Sequence, residues 1–166
     1  MTRLRELNLD DAPDVRRIFS GRSLKFLGRG PMSSAEATAY VSAAMARSAD
    51  EPRLQYTFGI EVKGDTAGIV KVKITHDEGR LSYILRHDAW GRGYAASAVT
   101  EMLTFAFDAL SLSTVRAKHQ VENRASGRVL VKTGFTRIGT ADGFSHYAQR
   151  MSVGCIWEGR SPQDGC

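Results

Sequence analysis

LSYILRHDAWGRGYAASAV, residues 81–99, joins an apolar strand pattern to a glycine-rich turn and the start of a helix. The pattern predicts a strand over residues 81–86. It then predicts a helix that opens at Gly91, Arg92 and Gly93. Glycines let backbone N–H groups approach an anion without an intervening Cβ, and the first turn of a helix offers unpaired N–H groups at its positive end. The stretch therefore predicts a phosphate-binding turn, although such a turn also occurs as a purely structural feature.

Strand and helix patterns continue on both sides of this stretch. Apolar residues alternate with polar ones in the predicted strands and recur at helical spacing in the predicted helices. Before it, the sequence predicts a strand (2–7), a short helix opened by Asp10 or Asp11, a loop (21–31), a helix (33–47) and two hairpin strands (54–62 and 69–74). After it, the sequence predicts a helix with an apolar stripe up to Ala109, a strand (115–119), a helix (123–133) ended by Gly134, and two strands (135–138 and 146–153). This order predicts an α+β fold in one domain, with a mixed, mostly antiparallel seven-stranded sheet flanked by about four helices.

Length and composition limit the class of protein. The 166 residues suffice for one domain with a hydrophobic core, and 42% hydrophobic with 25% charged residues is typical of a folded globular chain. No apolar run approaches the roughly 20 residues of a membrane span. Charged residues also occupy the N-terminus, where a signal peptide would be apolar. We therefore expect a cytoplasmic protein without a membrane partner.

The chain is basic, with a formal net charge of +5 and a pI near 9.5. An anionic partner fits this charge, and nucleic acid is one candidate. The basic residues are scattered and not interleaved with aromatic residues, so nucleic acid is disfavoured and a phosphate-rich small molecule explains the charge as well. The two cysteines, Cys155 and Cys166, form no metal-binding motif, and the four histidines have no metal-ligand spacing. We expect neither a metal site nor a disulfide framework.

A second stretch, residues 122–135, carries polar residues at the start of a predicted helix. Asn123 and Ser126 are three residues apart, so their side chains share one face of the first turn and can point into one cleft. Asparagine is also among the best N-cap residues, so capping is an alternative role for Asn123. Lys132, later in this helix, is either a solvated side chain or a contact for an anion.

Together the two stretches resemble the GNAT acyltransferases, and within them the branch that includes the Rim-type ribosomal-protein N-terminal acetyltransferases. The resemblance covers residues 2–153. It is carried by Trp90-Gly91-Arg92-Gly93-Tyr94-Ala95, Phe105-Ala106-Phe107, Glu122-Asn123-Arg124-Ala125-Ser126 and Lys132-Thr133-Gly134-Phe135. It implies a GNAT-like acyltransferase domain over residues 1–153, and the polar residues 154–166 are expected to form a flexible tail. It also implies a V-shaped opening between the fourth and fifth strands that takes acetyl-CoA as the acyl donor.

The resemblance assigns the donor site to both stretches. The pantetheine arm would pair with the backbone of the fourth strand like an added strand, and the pyrophosphate would meet the N–H groups of the glycine turn. Asn123 would hydrogen-bond the arm, and Ser126 would protonate the departing thiolate. The predicted donor site comprises Ile84, Leu85, Arg86, Gly91, Arg92, Gly93, Tyr94, Ala95, Ala96, Asn123, Ser126 and Lys132.

Attack of an amine on a thioester needs a neutral nucleophile, a stabilised oxyanion and a proton for the leaving sulfur. A backbone N–H near Leu85 would contact the oxyanion. Ser126 is the predicted acid, with Tyr147 as the alternative. His119 is the predicted base, because it ends the fifth strand where the cleft should open. The alternative bases are His87, Asp88 and Glu101.

The acceptor is predicted to meet Tyr83 and Trp90 beside the cleft, and Phe26 and Leu27 in the loop over residues 21–31. These aromatic and apolar residues would favour a partly apolar amine, or they can be core residues. Ser97 stands where the resembling branch usually has a glutamate that orients the acceptor or a water. Its presence places a protein N-terminal acceptor in doubt.

The sequence therefore predicts an N-acetyltransferase that moves an acetyl (acyl) group from acetyl-CoA to a primary amine of a small molecule or a protein N-terminus, by direct attack in a ternary complex. The alternative is an acyl-CoA-binding or sensing domain of the same fold with little catalysis. A nucleic-acid-binding module has only the net charge in its favour. A hydroxyl acceptor and a homodimer are both compatible with the sequence.

Overall fold

The computed structural model describes residues 1–151, and its strands and helices follow the predicted order. The strands are β1 (Arg3–Glu6), β2 (Gln55–Val62), β3 (Asp65–Thr75), β4 (Glu78–Leu85), β5 (Thr114–Gln120), β6 (Thr136–Ala141) and β7 (Phe144–Arg150). The helices are α1 (Ala12–Ile18), α2 (Ser34–Ser48), α3 (Tyr94–Thr104) and α4 (Arg124–Lys132). Short 3-10 turns lie at Leu9–Asp11, Gly21–Leu24 and His87–Ala89. The predicted fold class is confirmed.

One seven-stranded sheet runs in the order β1-β2-β3-β4-β5-β7-β6. Neighbouring strands are antiparallel except for β4 and β5, which are parallel. Helices α1 and α2 cover one face, and α3 and α4 cover the other. The adjacent residues Ile69 and Val70 of β3 belong to the two different cores, as expected for a strand that is buried on both faces.

The parallel strands β4 and β5 pair over a short distance only. The register joins residues 78–80 of β4 to residues 114–116 of β5. Beyond these pairs the two strands diverge, while β5 stays paired with β7 along its whole length. Because parallel strands end at the same edge of a sheet, the divergence leaves an opening at the carboxyl ends of β4 and β5. This is the place where the resemblance implies a V-shaped opening.

The third helix differs from its prediction near its end. It continues beyond Thr104 as a π-helical turn, Phe105–Ala109, in which the Leu110 N–H donates to the Phe105 carbonyl at 3.2 Å. The wider turn holds the Phe105 ring edge-on against Tyr56 and Phe58 of β2. Aromatic packing on the sheet therefore accompanies the change of helical pitch.

The last strand also differs from its prediction. It begins at Phe144 rather than at residue 146, directly after a turn in which Asp142 and Gly143 both have positive φ. Such a two-residue turn joins β6 and β7 as a tight hairpin. The last two residues of the predicted strand and the predicted tail, residues 154–166, lie outside the described residues.

A buried ion pair links β1, the start of α1 and β3. The Asp11 carboxylate, 3% exposed, accepts hydrogen bonds from the Arg5 guanidinium at 2.7 and 2.8 Å and from the Thr66 hydroxyl at 2.6 Å. Burial by itself would raise the pKa of Asp11. Hydrogen bonds from Arg5, Thr66 and the Asn8 N–H outweigh burial and lower this pKa to about 2. Asp11 is therefore ionised in the folded protein at any pH above this value.

We expect stability to fall as the pH drops from about 4 to about 2. The folded pKa of Asp11 lies below its ordinary value of 3.8, so the unfolded chain takes up the proton first and the contribution of Asp11 is lost on acidification. At pH 7, Asp11→Asn should reduce the free energy of unfolding by about 2–3 kcal/mol. Urea unfolding at about pH 7, 4 and 3 measures both effects. Asp10→Asn, at the exposed neighbouring position, is the control, and equal losses in the two variants would contradict the prediction.

Candidate active site

Hydrogen-bond direction along β4 decides which backbone groups face the opening. The Arg86 N–H donates to the Ala67 carbonyl at 2.8 Å, and the pairing of β4 with β3 is regular along its length. Successive residues of an antiparallel strand direct their N–H and C=O groups to opposite sides, so Ile84 and Arg86 are committed to β3. Tyr83 and Leu85 direct theirs into the opening. Of the three residues predicted to meet the pantetheine arm, Leu85 is the one whose backbone groups point there.

The Trp90 indole fixes the turn that follows β4. Its Nε1–H donates to the Leu85 carbonyl at 3.0 Å, and its ring lies edge-on to that of His87. The Leu85 carbonyl is therefore occupied, whereas the Leu85 N–H has no backbone acceptor within residues 1–151 and remains for a ligand. The sequence predicts Trp90 beside the cleft, and its indole N–H, a donor that needs an acceptor, also ties the glycine turn to the end of the strand.

Residues 91–96 form a row of amide donors, here called the amide cradle. Gly91 and Gly93 have φ of 74° and 79°, a left-handed conformation that glycine adopts without strain. Gly93 caps α3 without a side-chain hydrogen bond, and the first helical bond runs from the Ser97 N–H to the Gly93 carbonyl at 3.1 Å. The N–H groups that precede Ser97 in the helix therefore have no helical acceptor. They lie at the positive end of α3, beside the exposed Arg92, and suit an anion.

Two hydroxyl groups meet across the opening between β4 and α4. The Tyr83 Oη lies 2.7 Å from the Ser126 Oγ and donates to the Ser126 carbonyl at 3.2 Å. The Asn123 Oδ1 accepts from the Ser126 N–H at 3.2 Å, so Asn123 caps α4 as the sequence allows. The Asn123 side-chain amide nitrogen has no partner among residues 1–151 and is available to a ligand. The structure thus joins a predicted acceptor residue, Tyr83, to the predicted acid, Ser126.

The Tyr83 hydroxyl stays protonated over the physiological range. Burial raises the pKa of Tyr83, the Ser126 hydrogen bond partly opposes this, and the nearby Tyr147 adds to it, so that the pKa reaches about 12. Tyr83 is therefore a hydrogen-bond donor rather than an anion. A proton can therefore pass through this pair of hydroxyls when a group outside the pair donates it and a second outside group accepts it.

The predicted base and the alternative acid lie together beneath α4. His119 and Tyr147 are 8% and 5% exposed. The His119 Nδ1 lies 2.7 Å from the Gln120 carbonyl, and its Nε2 lies 3.2 Å from the Tyr147 Oη. A carbonyl only accepts, so Nδ1–H donates to Gln120, and in the tautomer with its proton on Nδ1 the ring accepts from the Tyr147 hydroxyl at Nε2. Gly127 permits this arrangement, since a Cβ there would lie 2.8 Å from Nε2. Both ring nitrogens are thus engaged inside the protein.

The remaining predicted acceptor residues lie in two separate places. The Phe26 carbonyl accepts from the Gln120 Nε2 at 3.0 Å, at the end of β5, and the adjacent Leu27 is 42% exposed. The Ser97 Oγ instead lies 2.6 Å from the Thr2 Oγ1 beside β1, at the far edge of the sheet. Ser97 therefore does not join Phe26 and Leu27, and its side chain attaches α3 to the N-terminus. Sequence reasoning missed Gln120, which carries the contact to the loop.

Lys132 lies with three arginines rather than with the amide cradle. Arg124, Arg128, Lys132 and Arg137 line an open surface cavity of about 500 Å³ between α4, β6 and β7. His119 and Tyr147 also line this cavity, whereas Asn123, Ser126 and Tyr83 do not. The predicted donor residues are thus divided between the opening with its cradle and this separate basic cavity.

Two further findings concern the described residues as a whole. No helix within residues 1–151 is long and apolar enough to cross a membrane. Over the same range, the structure does not bring together three His, Cys, Asp or Glu side chains as a metal-binding group.

Comparison of the sequence with known proteins finds acetyltransferases. The family model described as acetyltransferase (GNAT) domain matches residues 2–136. YoaA, an uncharacterized N-acetyltransferase of Bacillus subtilis (strain 168), is 27% identical over 142 residues, which cover 82% of this chain and 80% of that protein.

Two solved structures have the same fold. RimJ of Mycobacterium smegmatis, in complex with CoA-disulfide, aligns with a TM-score of 0.77 at 21% identity over 90% of this chain and 82% of that one. Spermidine N-acetyltransferase of Vibrio cholerae, in complex with CoA and spermine, aligns with a TM-score of 0.76 at 18% identity over 91% and 96%. The family model spans β4, the amide cradle and α4, and we conclude that the chain belongs to the GNAT acetyltransferase family.

Proposed function

We propose that this enzyme transfers an acetyl group from acetyl-CoA to a primary amine by direct attack in a ternary complex. One observation carries the proposal: the free Leu85 N–H in the opening adjoins the amide cradle, because the Trp90 indole joins the end of β4 to the glycine turn. A ligand with an extended amide-bearing arm and a diphosphate would engage both at once. CoA has this composition.

The donor would bind through backbone groups more than through side chains. The pantetheine arm would pair with the Leu85 N–H and the Tyr83 carbonyl in the opening, as an added strand pairs with a sheet edge. The pyrophosphate would accept from the amide cradle, with Arg92 as an adjacent cation. The Asn123 amide nitrogen would donate to a carbonyl of the arm.

Transfer requires one new bond and one broken bond. The lone pair of the amine attacks the thioester carbonyl carbon, and the carbonyl π electrons move to oxygen. The Tyr83 N–H, which also faces the opening, would donate to the developing charge there. When the carbonyl re-forms, the C–S bond breaks and its electron pair leaves with sulfur. The nitrogen loses one proton and sulfur gains one, so the products are an amide and free CoA.

The Tyr83 and Ser126 hydroxyls would conduct that proton. A thiol has an ordinary pKa of about 8.5, whereas the pKa of Tyr83 is about 12, so Tyr83 does not protonate a thiolate outright. A proton that arrives from the attacking nitrogen can pass along the pair, each hydroxyl releasing one proton as it receives another. Ser126 would keep its predicted role as the group that protonates the thiolate, and Tyr83 would pass protons to it.

The amine would approach from the face that carries α1 and α2, here called the loop face. Gln120 reaches this face and holds Phe26 there, so the loop over residues 21–31 would form one wall of the acceptor site. The loop is closed at its base, where the Met32 N–H donates to the Phe19 carbonyl at 3.0 Å. Small polyamines and protein N-termini both present a primary amine that fits such a site. The first is the substrate type named for the Vibrio cholerae neighbour.

An acyl-CoA-binding domain with little catalysis is the second candidate. It is favoured by one observation: the predicted base, His119, has both nitrogens engaged by Gln120 and Tyr147. In the catalytic proposal the amine therefore has to arrive neutral or lose its proton to water. In the binding proposal no base is needed.

Two measurements separate these candidates. A thermal-shift titration with acetyl-CoA, CoA and ATP should raise the unfolding midpoint for both CoA ligands and leave it unchanged for ATP. Thiol release from acetyl-CoA is then followed with spermidine and with short peptides that have free N-termini. Release that depends on the amine supports the transferase, and binding without release supports the binding domain. No response to either CoA ligand would overturn both.

The Gln120 contact makes a prediction about the acceptor. Gln120→Ala removes the hydrogen bond to Phe26 and loosens the loop, so the KM for the amine should rise by about fivefold. The KM for acetyl-CoA should not change, because the amide cradle lies elsewhere. Gln55→Ala, which removes a weaker side-chain contact in β2, is the matched control. Initial-rate kinetics with each substrate varied test the prediction, and equal changes in both KM values would count against it.

A further inference from the structure

The basic cavity on α4 concentrates positive charge without a compensating carboxylate. Arg124, Arg128, Lys132 and Arg137 all line it, and no described residue that lines it is acidic. None of the four makes an ion pair with another residue in the range 1–151. Four like charges around one cavity repel one another and raise the local concentration of anions.

The spacing of the cations is regular. Arg124, Arg128 and Lys132 are four residues apart in α4, so successive side chains are separated by about 6 Å along the helix axis. Arg137 stands opposite them on β6, where its guanidinium is held by the Thr140 hydroxyl. An anion in the cavity would thus meet a row of charges on one side and a fixed guanidinium on the other.

Between the cations, the lining of the cavity is mostly apolar. Val121, Val131 and the buried His119 and Tyr147 contribute to this lining. The Tyr147 hydroxyl and both His119 ring nitrogens already hydrogen-bond inside the protein, so a bound anion would meet the guanidinium and ammonium groups of the rim. Guanidinium groups bind phosphate oxygens with two parallel hydrogen bonds.

The cavity is separate from the donor opening. At 100° per residue, Arg124 and Arg128 lie about 160–200° around α4 from Ser126. Ser126 faces Tyr83 and the opening, so the arginines face the opposite flank. A ligand in the cavity and CoA in the opening would contact different sides of the same helix.

We propose that this cavity binds a small molecule with two or more linked phosphate groups. The row of cations matches a chain of charges better than a single anion, and a volume of about 500 Å³ suits a ligand of nucleotide size. Single-stranded nucleic acid is the less favoured partner, because nonspecific binding of a strand uses exposed aromatic side chains on which bases stack. The aromatic groups of this cavity are the buried His119 and Tyr147.

Isothermal titration of the full chain with tripolyphosphate, in the presence of saturating acetyl-CoA, tests the proposal. Binding should be saturable, and Arg128→Glu and Arg137→Glu should each weaken it by about tenfold or more. Arg16→Glu makes the same charge change on the exposed surface of α1 and should weaken it by less than about twofold. The acetyl-CoA affinity of all three variants should equal that of the wild type.

Several results would overturn the assignment. Equal losses in Arg16→Glu and Arg128→Glu would mean that only net charge matters. Displacement of tripolyphosphate by acetyl-CoA would place it in the donor opening. Orthophosphate binding as tightly as tripolyphosphate would exclude a requirement for linked phosphates, and binding of a single-stranded RNA hexamer without tripolyphosphate binding would identify nucleic acid instead.

Discussion

Gly93→Ala is expected to weaken acetyl-CoA binding by about tenfold or more. Gly93 has a φ of 79°, where an alanine is strained by about 1–2 kcal/mol. The added Cβ meets no protein atom within 4 Å, so the strain is confined to the backbone and the methyl group does not clash with neighbouring residues. The backbone would relieve strain by leaving the left-handed region, which turns the neighbouring N–H groups of the amide cradle away from their common target. Isothermal titration with acetyl-CoA measures the loss.

Gly143→Ala is the matched control for strain. Gly143 has a φ of 76°, and its Cβ would also meet nothing within 4 Å, but it lies in the turn between β6 and β7. Both variants should therefore lose similar stability in urea unfolding, while only Gly93→Ala should lose affinity for acetyl-CoA. If both retain wild-type affinity, the cradle does not bind the donor.

The second large effect concerns the hydroxyl pair. Ser126→Ala is expected to lower kcat by about a hundredfold, and Tyr83→Phe by about tenfold, because each change interrupts proton delivery to the leaving sulfur. The double variant should lose little more than Ser126→Ala, because Tyr83 would act only by passing protons to Ser126. The KM for acetyl-CoA should change little, because the donor is held by backbone groups. Steady-state kinetics of the three variants measure these effects.

Tyr56→Phe is the control for loss of a tyrosine hydroxyl from the same core. Tyr56 packs against Phe105, and its hydroxyl has no hydrogen-bond partner within residues 1–151. The pH profile adds an independent readout. With the pKa of Tyr83 at about 12, ionisation of this residue should not reduce kcat up to about pH 10. A decline below that pH that disappears in Tyr83→Phe would contradict the assigned pKa and the proton path.

The fold could be predicted from the sequence because its elements carry local signals. The capping box at Ser33 and Glu36 forms as expected at the start of α2, and Gly134 has the positive φ expected after α4. The signal for the start of α3 is equally local, because the two glycines that form the turn, Gly91 and Gly93, stand directly before the helix. The π-helical turn at Phe105 could not be predicted, because it depends on rings from β2 that are far away in sequence.

The candidate site could be predicted only in part. Backbone groups follow from the position of the strand and the helix start, so the cradle could be read from residues 91–96. Side-chain partners depend on tertiary geometry, and the sequence could not show that Tyr83 meets Ser126 or that Gln120 holds Phe26. The burial of His119 did have a signal. His119 stands two residues after Ala117 and four after Val115, which are buried in the core, and residues of one strand with the same parity share a face.

The short pairing of β4 with β5 has a consequence for cooperative folding. Residues 78–80 and 114–116 are the only paired positions between the half-sheet β1–β4 and the half-sheet of β5, β7 and β6, within the part of the chain that the structure describes. The second half-sheet and α4 are contiguous in sequence, from Thr114 to Arg150, and share with the first half the core beneath α3. Such a segment can open as one unit in native-state hydrogen exchange while the rest stays folded. A donor that spans both halves would suppress this opening, so amides of β6 and β7 that touch no ligand would also exchange more slowly.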